Sequence, residues 1–279
     1  MASANAALAR SWPEDRLAFA RDSFSDLATR MVTGGVLALV GLAAVWAGGW
    51  WFTALVVILV ATLVWELVRM LGGAGQGAVM LGLLAGAAIL ATKLAPLAIA
   101  LILALCVPLA AMVMLARHRR LFVLTIVMIL MAGVGLIIHR DSFGLTWMMW
   151  LVLVVVVTDI LGYFAGRLIG GSKFWPAVSP KKTWSGTIAG WIGAAIVGWV
   201  FMAVTGVGAE LVVISVALSV ASQMGDIAES ALKRHMGVKD SSNLLPGHGG
   251  VYDRFDGLLG AAFVLVIVET VTAFPPPLL

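Results

Sequence analysis

Apolar runs of about 18 to 22 residues follow one another along this chain, each long enough to cross a hydrocarbon core of about 30 Å as a helix. Of its 279 residues, 62% are hydrophobic and only 11% are charged, more apolar surface than a soluble domain of this size can hide. The bilayer is therefore the solvent. Membrane β-strands would instead alternate apolar and polar residues over about 10 positions, which these continuous runs do not do. The expected fold is all-α, a polytopic helical membrane protein with about nine transmembrane helices. They are placed near 31–48, 50–68, 77–92, 95–116, 121–138, 143–164, 186–207, 210–230 and 257–274.

Residues 1–30 mix charged and apolar side chains without an uninterrupted hydrophobic stretch or a clear cleavage signal, so they read as a cytoplasmic N-terminal segment suited to an amphipathic surface helix. Residues 31–279 form one transmembrane domain. An odd number of crossings puts the termini on opposite sides. With the N-terminus inside, only Lys93 and Arg140 of the 18 Lys and Arg fall outside. The bias of basic residues toward the cytoplasm thus favours an internal N-terminus and an external C-terminus. The formal charge of +4 carries no nucleic-acid signal, because the basic residues lie at membrane boundaries. A lone cysteine, Cys106, allows neither an intrachain disulfide nor a cysteine-based metal site.

Two cytoplasmic loops, 165–185 and 231–256, combine Gly, Pro, Lys, Asp and His, whereas the external loops are short and nearly uncharged. Before the second loop, Ser222, Asp226, Glu229 or Ser230, and Lys233 recur at three- and four-residue spacing and share one helical face. Carboxylates at membrane depth need a cation, a hydrogen-bond partner or a water-filled cavity. A packing network with Lys233 would satisfy them; so would a metal site. Further on, Asp253 and Asp256 lie three apart at a helix start, where with Asp226 they offer oxygen ligands suited to Mg²⁺. The preceding Pro246-Gly247-His248-Gly249-Gly250 has a backbone flexible enough to aim N–H groups at phosphate. In the first loop, Ser179-Pro180-Lys181-Lys182-Thr183 is expected just before a helix, with Pro180 tolerated near its first turn and its free N–H groups adding to two lysines as an anion site. Weaker readings attach to Glu66 as an interfacial partner of Arg69, and to Asp159 as either a cavity group or a partner of Arg167. Trp50, Trp51, Trp147 and Trp150 read as interface belts and packing rather than base-stacking platforms.

The run from Ser230 to Asp256, SALKRHMGVKDSSNLLPGHGGVYDRFD, resembles the signature of the phosphatidate cytidylyltransferase (CDP-diacylglycerol synthase) family, with its S-x-apolar-K-R, K-D, H-G-G and D-R-x-D elements in order. The resemblance extends through Gln223, Gly225 and Asp226 and through Ser179 to Thr183. It departs at position 185, where the pattern has Glu and this chain has Ser185. The resemblance implies an enzyme of phospholipid biosynthesis in a bacterial inner membrane, with its site on the cytoplasmic side. A phosphatidic acid oxygen would attack the α-phosphorus of CTP, releasing pyrophosphate and giving CDP-diacylglycerol. The nucleophile is already ionised, so catalysis rests on positioning and charge neutralisation.

On this reading Asp226, Asp253 and Asp256 hold Mg²⁺, with a second cation such as K⁺ left open, and Lys233 and Arg254 complete the catalytic group. Ser179, Lys181, Lys182, Thr183, Arg234, Lys239, Asp240, His248, Gly249 and Gly250 form the expected substrate-binding set. The expected partners are CTP, phosphatidic acid and membrane lipids, with a homodimer implied by the family. Two alternatives stand beside it: a CTP-dependent polyprenol or phytol kinase and an ion-coupled transporter. A transporter predicts paired functional segments in two halves, whereas the unusual residues here crowd into the C-terminal part.

Overall fold

The computed structural model describes residues 31–73, 75–115, 117–272 and 274–275. The amphipathic helix expected within 1–30 lies outside the described residues. The helices are α1 (Met31–Ala47), α2 (Gly49–Met70), α3 (Gly75–Leu94), α4 (Leu97–Met114), α5 (Arg119–Leu168), α6 (Trp184–Thr205), α7 (Glu210–His235) and α8 (Tyr252–Thr272). Six of them, all but α1 and α4, are long and apolar enough to cross a membrane, and α1 and α4 are shorter apolar helices. The chain is an all-α, polytopic integral membrane protein.

The helix α5 counts 50 residues, about 75 Å if it were straight and more than twice the thickness of a hydrocarbon core. Gly144 breaks it, with φ 82° and ψ −167°, a conformation that glycine adopts at little cost. Side-chain contacts trace the path. His118, just before α5, stacks edge-on against His235 at the end of α7, with ring centroids 5.3 Å apart. At the far end of the bundle, Asp141 pairs with Lys93 at 2.8 Å, and Arg140 donates to the carbonyls of Val45 and Trp46. The second arm then returns to Asp159, beside α7 and α8. Lys93 and Arg140, the two basic residues expected on the external side, thus meet at one end of the fold, and the carboxylate-rich segments meet at the other.

The apolar core draws on every helix, with α2 and α5 supplying most of its residues. Trp147 and Trp150 are fully buried, whereas Trp50 and Trp51 are exposed, so the four tryptophans divide between packing and surface belt. Ser215, Ser219 and Ser222 are fully buried on α7. Trp150 Nε1 donates to Ser215 Oγ at 2.9 Å and Thr158 Oγ1 to Ser219 Oγ at 2.8 Å, so the polar stripe predicted at the end of α7 continues inward as hydrogen bonds to α5. His139 Nδ1 donates to Glu269, joining α5 to α8 near the end away from the carboxylates.

Close approach of α7 and α8 sets the spacing of the site. A Cβ at Gly225 would stand 2.3 Å from the carbonyl oxygen of Asp256, so any side chain there must push α8 away. Gly225→Ala should cost about 1–3 kcal/mol through overpacking. The measurement is thermal unfolding in detergent, and an unchanged midpoint would show that the two helices accommodate the methyl group.

The loop expected over 165–185 contains a β-hairpin. Its strands are β1 (Lys173–Trp175) and β2 (Ser179–Thr183), antiparallel, with Lys173 opposite Thr183 and Trp175 opposite Ser179. Pro180 consequently sits within β2 rather than near the first turn of α6, a correction to the expectation. Pairing with β1 keeps Ser179–Thr183 extended, and a two-stranded ribbon tolerates a residue without an N–H. Thr183 is the N-cap of α6, its hydroxyl accepting from Gly186 N at 3.3 Å.

Candidate active site

The C-terminal half of α7 carries Asp226, Glu229, Ser230 and Lys233 on one face, and the first turn of α8 brings Asp253 and Asp256 opposite them. They enclose a cavity of about 290 Å³. All five residues expected to carry the chemistry, Asp226, Lys233, Asp253, Arg254 and Asp256, line it. So do Asp240, Glu229 and Ser230, and α5 contributes Asp159. Of the two readings of Asp159, the cavity group is the one observed; Arg167 instead donates to the Tyr163 hydroxyl at 2.7 Å.

Two lysines neutralise part of this acidic wall. Lys182, reaching over from β2, pairs with Asp226 at 2.6 Å and donates to the Gln223 carbonyl at 3.4 Å. Lys233 lies between Glu229 at 2.7 Å and Asp253 at 2.5 Å, joining α7 to α8. These carboxylates are almost fully buried, their side chains 1% and 5% exposed, so Lys233 supplies the charge that makes their burial tolerable. The second oxygen of Glu229, Oε1, has no hydrogen-bond partner among the described residues.

Asp253 uses both of its oxygens. Oδ1 faces Lys233, while Oδ2 accepts from Ser241 N at 2.9 Å, Ser241 Oγ at 2.9 Å and Gly250 N at 2.7 Å. Gly249 and Gly250 therefore approach a carboxylate of the protein itself. Asp256 accepts from the Gly257 N–H at 2.8 Å. Arg254 chelates the His248 carbonyl through Nε at 3.0 Å and Nη2 at 2.8 Å, closing the glycine-rich turn onto α8. The His248 imidazole turns toward α1, where Nε2 would stand 3.3 Å from a Cβ at Gly34.

The remaining substrate-binding candidates divide. Ser179, Lys181 and Thr183 belong to β2, with Lys181 exposed and Thr183 buried as the cap. Arg234 and Lys239 are exposed and outside the cavity lining. Ser185 donates to the Gly170 carbonyl at 2.5 Å and meets the Thr183 hydroxyl at 3.0 Å, which ties the start of α6 to the turn before β1. Glu66 does not pair with Arg69 as expected. It accepts hydrogen bonds from the 241–252 segment, and Arg69 lies over the Trp65 ring at 5.3 Å. The attraction of a neighbouring arginine is outweighed by four donors that converge on the buried carboxylate from a distant loop.

Among the described residues, no three His, Cys, Asp or Glu side chains are drawn together closely enough to hold an ion as they stand. The donor chemistry nevertheless fits a hard divalent cation, because Asp159, Asp226 and Asp256 offer only oxygen to one cavity. Lys182 occupies the place of a counter-cation at Asp226.

This arrangement defines an integral membrane protein with a polar, carboxylate- and lysine-lined cavity at one end of its helices. Residues 28–272 match the model of the family described as the cytidylyltransferase family, and the chain belongs to it. Among similar proteins, the phosphatidate cytidylyltransferase of Brucella abortus biovar 1 (strain 9-941) is 47% identical over 138 residues, 48% of this chain and 51% of that protein. Those of Bacillus subtilis (strain 168) and Staphylococcus saprophyticus are 44% identical over 124 residues and 42% over 142, covering 46% and 54% of their lengths. The chain thus spans about half the length of the curated relatives it matches.

Proposed function

We propose that this chain transfers the cytidylyl group of CTP to phosphatidic acid, forming CDP-diacylglycerol and pyrophosphate. The observation that carries the reading is the cavity between α5, α7 and α8, found in a member of the cytidylyltransferase family. The printed names of its relatives supply the lipid acceptor. An oxygen of the phosphatidic acid phosphate attacks the α-phosphorus of CTP, the bond from that phosphorus to the bridging oxygen breaks, and pyrophosphate departs with the electron pair. No enzyme nucleophile is required.

Lys182, Lys233 and Arg254 neutralise phosphate oxygens that replace their present carboxylate and carbonyl partners. Asp226 and Asp256 would hold Mg²⁺, with Asp159 on the same wall, and Asp253 would join them only by exchanging its contact with Lys233. When bound, the cation supplies charge stabilisation to the phosphates. The acyl chains of substrate and product stay in the bilayer, so the lipid arrives sideways and leaves within it.

For the topology, we propose nine crossings, with the two arms of α5 on either side of Gly144 counted separately and α1 and α4 included. The cavity end then faces the cytoplasm of a bacterial inner membrane, supported by the clustering of Lys and Arg there.

The test is formation of CDP-diacylglycerol from CTP and phosphatidic acid by the full chain purified in detergent, with and without chelator. Chelator-sensitive product is expected. Absence of product from folded protein would sink the proposal and turn attention to labelled CTP with prenol acceptors.

A further inference from the structure

We propose that Glu66 is a positioning residue: from α2 it caps the start of α8 across the fold, and so holds the segment bearing Asp253, Arg254 and Asp256 against the cavity. The first N–H groups of any helix lack partners within the helix, and a side-chain oxygen just before it normally takes them. Before α8 stand Gly249, Gly250 and Val251, none of which has such an oxygen. The acceptor comes instead from α2. Glu66 Oε1 takes the Val251 N–H at 2.9 Å and Oε2 takes the Tyr252 N–H at 2.7 Å. An acidic group at this end of a helix also meets the favourable end of the helix dipole.

Each oxygen of Glu66 takes a second bond from the same loop. Ser242 Oγ donates to Oε1 at 2.6 Å and Ser241 Oγ approaches Oε2 at 3.2 Å. The Ser241 hydroxyl stands 2.9 Å from Asp253 Oδ2 as well, so a single proton lies between the carboxylate that holds the loop and a carboxylate that lines the cavity. Glu66 is fully buried, and a carboxylate at that depth is retained only with donors around it. The loop is pressed closely onto it: a Cβ at Gly250 would stand 2.6 Å from Glu66 Oε1 and 2.0 Å from Ser241 Oγ. Glu66 hydrogen-bonds to none of the residues that line the cavity. It acts through the backbone that sets where Asp253, Arg254 and Asp256 stand.

The experiment compares wild type, Glu66→Gln, Glu66→Asp and Ser242→Ala in the full chain, by hydrogen exchange of the 241–252 segment and by steady-state kinetics. The kinetic arm rests on the cytidylyl transfer proposed above; the exchange arm does not. In Glu66→Gln an NH₂ group replaces one acceptor and confronts two donors. Exchange in 241–252 should then rise about tenfold. The kcat should fall by about 10²-fold from misplacement of the cavity residues. Exchange in α6 and the KM for lipid should stay unchanged.

Glu66→Asp keeps the carboxylate and should restore part of both effects. Ser242→Ala removes only the 2.6 Å bond and should raise exchange about threefold. It carries the test if Glu66→Gln does not fold. Exchange and kcat within twofold of wild type in Glu66→Gln, or in Ser242→Ala where that variant carries the test, would overturn the proposal. So would exchange rising equally in α5 and α6, which would make Glu66 a general packing residue. Wild type without product would refute the assigned reaction and leave the exchange arm to decide on Glu66.

Discussion

Asp226→Asn should lower cytidylyl transfer by about 10³-fold while the protein remains folded, the size of loss expected when one preorganised charge is removed from a reacting centre. The structural reason for this split is the setting of the residue. Asp226 pairs with Lys182 at 2.6 Å, but its side chain is 36% exposed and that of Lys182 is 24% exposed. A pair this open contributes at most about 1 kcal/mol to stability. The same carboxylate faces Asp159 and Asp256 across the cavity, where the triphosphate and its cation would gather. Thermal unfolding and turnover measured on one preparation separate the two roles. Turnover above a tenth of wild type in the folded variant would place the reacting phosphate elsewhere.

Lys233→Met should show the opposite balance, with a loss of stability of about 3–5 kcal/mol in addition to lost turnover. Lys233 is the cation shared by Glu229 and Asp253. Removing it leaves Asp253 with three other donors, from Ser241 and Gly250, but leaves Glu229 buried without a counter-charge. The double variant Lys233→Met, Glu229→Gln should therefore recover much of the unfolding midpoint while turnover stays low. If the single variant unfolds within a degree or two of wild type, the ion pair is not what ties α7 to α8. If the double variant regains turnover, Lys233 serves the fold and has no part in the reaction.

These expectations draw unequally on sequence and structure. The stripe of Asp226, Glu229, Ser230 and Lys233 and the pair Asp253 and Asp256 were legible because helical periodicity puts residues three and four apart on one face. The same local rule could not say what each group would meet. Asp253 reads as a metal ligand from its spacing, yet its two oxygens are taken by Lys233, Ser241 and Gly250. Glu66 reads from its spacing as a partner of Arg69, three residues away, and instead holds amides 185 and 186 positions along the chain. A single Glu within an apolar helix and a glycine-rich segment without a capping side chain are the signals that the sequence carries. Ser185, the departure from the family pattern, proves to tie α6 to the Gly170 turn. The hairpin of β1 and β2 is not legible in the sequence, because strands of three and five residues carry too short a pattern.

The sequence by itself determined that this chain lives in a membrane as helices, which of its faces are polar, and which family it resembles. The first two follow from composition and short-range periodicity and the third from the ordered motifs between Ser230 and Asp256, and none of them needs knowledge of neighbours. Only the tertiary structure decided that Asp159 joins Asp226 and Asp256, that Lys182 reaches Asp226 from a strand, and that Glu66 caps α8. Such partnerships depend on which helix ends the packing brings together. Gly225, at the crossing of α7 and α8, sets that approach through its missing side chain, and no local pattern records which backbone will lie against it.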